Sequence, residues 1–112
     1  MTTHHPKAPA LSTARLHELI EQAIVDAYGV EEQRAGFHEK LNEHLSLPFK
    51  TEVLGVEVDV VRLDETDATE LIAICRRGPH TQPIPLLDLP MPTPPPEGAE
   101  WIEAYRSWAR SD

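Results

Sequence analysis

Hydrophobic spacing switches from a helical to a strand period near Lys50, and that change limits the fold more than any other feature. Before it, Leu16, Leu19, Ile20, Ala23, Ile24 and Ala27 recur at three- and four-residue steps, and Phe37, Leu41 and Leu45 do the same. Such spacing places apolar side chains on one stripe of a helix. After it, Val56, Val58 and Val60 alternate with Glu57, Asp59 and Val61, so a strand gains one apolar face and one acidic face. Helices run first and strands follow, a segregation that belongs to the α+β class.

Punctuation residues bound the elements. Ser12 and Thr13 are good N-caps, so a first helix is predicted from there to about Tyr28, with Gly29 at a left-handed C-cap. Glu31 and Glu32 then open a second helix, where carboxylates meet exposed N–H groups and the positive end of the helix dipole. Pro48 stops it. The run "LIAICRR" reads as a second strand, Gly78-Pro79 as a turn, and "TQPIPLLDL" as an edge strand whose prolines at 83 and 85 lack ladder donors. Short strands of this kind predict a small, strongly twisted, barrel-like antiparallel sheet.

Residues 91–98 read as a stiff polyproline-type connector. Beyond it, Trp101, Ile102, Tyr105 and Trp108 give a last helix an aromatic face that docks back over the core. The expected organisation is a disordered arm over residues 1–11 and a single α+β domain over 12–112. That domain has two N-terminal helices, the small sheet and the docked C-terminal helix.

Charge narrows the function. Ten basic and nineteen acidic residues among 112 leave a net charge of −9. Residues 18–43 hold seven acids and two bases, and residues 57–70 hold six acids and one base. This field repels nucleic acid and anionic membranes, and draws in cations or basic partners. Cys75 is the single cysteine, which excludes an internal disulfide and suits a reducing compartment. No apolar run is long enough to span a membrane, and residues 1–20 lack the apolar core of a signal peptide. A cytoplasmic monomer without nucleic-acid or membrane partners is the expectation.

Catalytic patterns are weak. "HEKLNEH" is similar to the zinc-protease pattern, yet His38 and His44 lie about 240° apart around a helix and cannot share a metal. Cys75 sits in an apolar strand with no histidine nearby in sequence, as a packed core thiol does. "DETDATE" is rich in oxygen donors but lacks the glycine and spacing of an EF-hand loop. No enzyme activity is nominated.

An ordered series of segments carries more information. "DAYGVEEQRAGF" (26–37) and "NEHLSLPF" (42–49), followed by "VEVDVVRLD", "AICRRG", "QPIPLLDLP" and "WIEAYRSW", resembles the small CcbP-type calcium-binding proteins of bacteria over roughly residues 14–110. The resemblance implies a non-EF-hand α+β protein that binds Ca²⁺ through clustered surface carboxylates, as a buffer or sensor. Carried over by position, the metal residues are Asp26, Glu31, Glu32 and Glu43. Gly29 and Asn42 depart from the family's acidic or polar pattern and lower the carboxylate count.

Physical reasoning adds that Asp26, Glu31 and Glu32 flank one turn, where a divalent cation would relieve their mutual repulsion. The rival reading is an acidic protein-interaction module that uses the small sheet and the Trp101/Tyr105/Trp108 face. It loses its main surface if that face is buried.

Overall fold

Ser12 accepts a hydrogen bond from the Arg15 N–H at 3.0 Å and starts the first helix, α1, Thr13–Ile24. The computed structural model describes residues 11–66 and 70–110. Helix α2 follows at Val30–His44, then strands β1 (Phe49–Val53), β2 (Val56–Glu65), β3 (Leu71–Arg77) and β4 (His80–Pro85). A 3-10 turn at Leu86–Asp88 and helix α3, Ala99–Arg110, complete the chain. The expected disordered arm, apart from Leu11, lies outside the described residues. So does the middle of "DETDATE". Leu11 itself packs against the core.

The helices realise the predicted stripes. Leu19 and Ala23 of α1 and Phe37 and Leu41 of α2 are buried. One boundary is corrected: α1 stops at Ile24 rather than near Tyr28, and Gly29 is the N-cap of α2 instead of the C-cap of α1. Asp26, inside the joint, takes the left-handed φ of 61°. The reason is packing. Val25 and Tyr28 are 67% and 86% exposed, so another helical turn would bury nothing and tertiary contact gives it no support.

The sheet is an antiparallel meander in the order β1-β2-β3-β4. It is open, so the barrel-like expectation is corrected. Closure needs β1 to pair with β4, but Pro83 and Pro85 strip donors from β4 and the chain turns away at Leu86. Four strands also enclose too little space for side chains to fill a barrel.

A bulge between Val60 and Arg62 shifts the β2–β3 register. It lets Val60 and Leu63 both face the helices, with Leu71, Ala73 and Cys75 of β3 beside them. All five are buried.

Helix α3 docks as expected. Trp101, Ile102 and Tyr105 are buried, and Phe37 meets the Tyr105 ring edge-on with centroids 5.8 Å apart. The Trp108 indole N–H donates to Gln33 Oε1 at 2.8 Å. The aromatic face is therefore consumed inside the chain, and the interaction-module reading loses its main surface.

Candidate metal site at the joint of α1 and α2

Helices α1 and α2 approach closely because residue 36 is glycine. A Cβ there would strike the backbone carbonyl of Ala23. The crossing and the joint at residues 25–29 together frame an open cleft of about 370 Å³. Its polar lining comes from Gln22, Asp26, Glu32, Glu39 and Lys40.

Each candidate carboxylate has a distinct position. Asp26 is held in the joint by its left-handed backbone. Glu32, in the first turn of α2, accepts the Tyr28 N–H at 2.8 Å, so it ties the joint to the helix as well as lining the cleft. Glu31 is exposed in the same turn but does not line the cleft. Glu43 stands near the far end of α2, about 16 Å from Glu32 along the helix axis. It lies 3.8 Å from Lys40 Nζ and 3.5 Å from His44 Nε2. Glu32 and Glu43 cannot enter one coordination sphere.

Among the described residues, no three His, Cys, Asp or Glu side chains are gathered closely enough to hold a metal. The crowding anticipated for Asp26, Glu31 and Glu32 is therefore not built in. Ending α1 at Ile24 makes the joint longer than a tight turn, and the Tyr28 N–H draws Glu32 to itself. Glu39 and Gln22 were not singled out as ligands. The signal for Glu39 was present, since residues 32 and 39 are seven apart on one helix face.

Among the described residues, the second acidic segment offers less. Asp59 pairs with Lys50 at 2.9 Å, Asp64 with Arg62 at 3.1 Å, and Glu65 lies 3.8 Å from His38 Nδ1. Asp59 and Asp64 thus already have cationic neighbours, and Glu65 has a histidine beside it. In the cleft, by contrast, Asp26 and Glu39 take part in no ion pair among the described residues.

The donor set suits a hard cation. Carboxylate and amide oxygens from Asp26, Glu32, Glu39 and Gln22, with room for water, match the oxygen-rich shell that Ca²⁺ takes. Gathering these surface side chains around an ion carries an entropic cost that weakens binding. The family profile of the CcbP proteins, described as calcium binding, matches residues 17–109.

The chain belongs to the CcbP calcium-binding family.

Comparison with curated proteins and with solved structures returns no match. The CcbP profile runs from within α1 to the last turn of α3, so membership rests on nearly the whole α+β unit. Ca²⁺ is the ion that the CcbP description names. Among the described residues no helix is long and apolar enough to cross a membrane.

Proposed function

We propose that this CcbP-family protein binds Ca²⁺ at the cleft between α1 and α2, without catalysing a reaction. Asp26 and Glu32 supply the first oxygens, Glu39 closes the far wall, and Glu31 adds charge from the adjacent position. Water fills the remaining positions. Glu43 belongs to a separate, weaker site or to none.

One observation carries this reading. Within a chain of this family, Asp26, Glu32 and Glu39 line a single solvent-open cleft. Binding costs the rearrangement of side chains and brings the cation into a cleft that Lys40 also lines. It is therefore expected to be moderate in strength, as suits a buffer or a sensor that releases its ion. Chemical-shift mapping tests the location. On Ca²⁺ addition, backbone amide shifts should concentrate at residues 25–32 and 36–40. Shifts confined to β2 and the β2–β3 connection would place the site elsewhere.

A further inference from the structure

Among the described residues, Lys40 is the one cationic side chain lining the cleft between α1 and α2, which it shares with Asp26, Glu32 and Glu39. A side chain on a helix leans back over the preceding turn. For Lys40 that turn holds Gly36, at the helix crossing, so its ordinary course leads along the cleft. The ammonium nevertheless pairs with none of the three cleft carboxylates. It stands 3.8 Å from Glu43 Oε1 and 5.8 Å from the centre of the Trp101 ring. Neither group lines the cleft. Lys40 thus borders the site while its charge is held by groups outside it.

Both holds are loose. The Lys40 and Glu43 side chains are 28% and 54% exposed, and lysine ahead of glutamate is the weaker order on a helix. A cation beside an aromatic ring gains little while water still reaches it. The ammonium rides on a flexible four-carbon stem. Against this berth the cleft offers it three carboxylates, of which Asp26 and Glu39 take part in no ion pair among the described residues.

We infer that Lys40 is a built-in competitor of the ion and sets the Ca²⁺ affinity of the cleft. Its ammonium swings between the cleft carboxylates and the berth on Glu43 and Trp101, and an entering cation holds it in the berth. This rests on the reading of the cleft as the calcium site and names the residue that regulates it. A divalent ion and an ammonium close together in a partly solvated cleft repel strongly enough to change affinity several-fold. Because the berth lets the charge step aside, the site is weakened rather than abolished. The ring remains when Glu43 is lost, so Glu43→Gln alone shifts the balance little.

Calorimetric Ca²⁺ titration of the full chain tests it. Lys40→Met keeps an unbranched stem and a similar helix propensity, and should tighten Ca²⁺ binding about fivefold. Lys40→Arg keeps the charge and should stay near the wild type. Lys50→Met removes a charge from β1, outside the cleft, and should also leave the affinity unchanged. Nuclear magnetic resonance reads the berth. The Trp101 indole N–H resonance should move in step with Ca²⁺ binding in the wild type, and should stay still in Lys40→Met while binding continues. An affinity that Lys40→Met fails to raise, or that Lys50→Met raises equally, overturns the inference. So does a wild-type indole resonance indifferent to Ca²⁺, or one that moves equally in Lys40→Met. Asp26→Asn separates this inference from the reading beneath it. Binding weakened by Asp26→Asn but untouched by Lys40→Met leaves the cleft standing and removes the competitor. Binding untouched by both, or a wild type that takes up no Ca²⁺, overturns both.

Discussion

Gly36 of α2 rests directly on the carbonyl oxygen of Ala23 of α1, with no room between them for a methyl group. The crossing sets the distance between the walls of the cleft, so the fold and the candidate site depend on the same contact. Gly36→Ala gains about 1 kcal/mol of helix propensity. It loses more, because two backbones must separate, and a net destabilisation of about 1–3 kcal/mol is expected. Urea unfolding followed by tryptophan fluorescence reads the change.

Tyr105 yields a pH prediction. Its hydroxyl accepts the Leu71 N–H at 3.4 Å, and burial is the main cause that pushes its pKa above the ordinary 10.0. A raised folded-state value means that the unfolded chain loses its proton first. The contribution to stability is full below about pH 10 and is lost as pH rises through the folded-state value. Unfolding midpoints should fall in that alkaline window, and Tyr105→Phe should flatten the fall. The same substitution should cost about 0.5–1.5 kcal/mol at neutral pH through the lost hydrogen bond.

The periodic parts of the fold were legible in the sequence because burial follows periodicity: Phe37, Leu41 and Leu45 face the core as their spacing requires. The end of α1 was not. Ala27 continues the stripe, but no partner waits beyond Ile24, and only the assembled fold decides that. The bulge at Val61 was hidden for a similar reason, since three valines in "VDVV" do not reveal which one leaves the ladder. At the site, the shared face of Glu32 and Glu39 was readable from helix geometry. The capture of Glu32 by the Tyr28 N–H depends on a joint conformation that no local pattern announces.

Cys75 should be inert in the folded protein. It is 3% exposed, and burial pushes its thiol pKa above the ordinary 9.0. Little thiolate forms at neutral pH, and reagents have little access. Alkylation by iodoacetamide, followed by mass spectrometry, should be slow in native buffer and rapid in urea.

Asp26 can be altered with little harm to the fold. Its φ of 61° lies in a region that asparagine tolerates nearly as well as aspartate. Asp26→Asn therefore removes a charge while preserving the joint, and its far-ultraviolet circular dichroism and melting temperature should match the wild type closely.

Calorimetric titration with Ca²⁺ and with Mg²⁺, at physiological salt, tests the calcium site most directly. The wild type should give saturable heat with Ca²⁺ in preference to Mg²⁺. Affinity should fall about tenfold in Asp26→Asn and stay near the wild-type value in Glu43→Gln. Equal, salt-suppressed heats for the two ions, or Ca²⁺ binding untouched by Asp26→Asn, would contradict a site between α1 and α2.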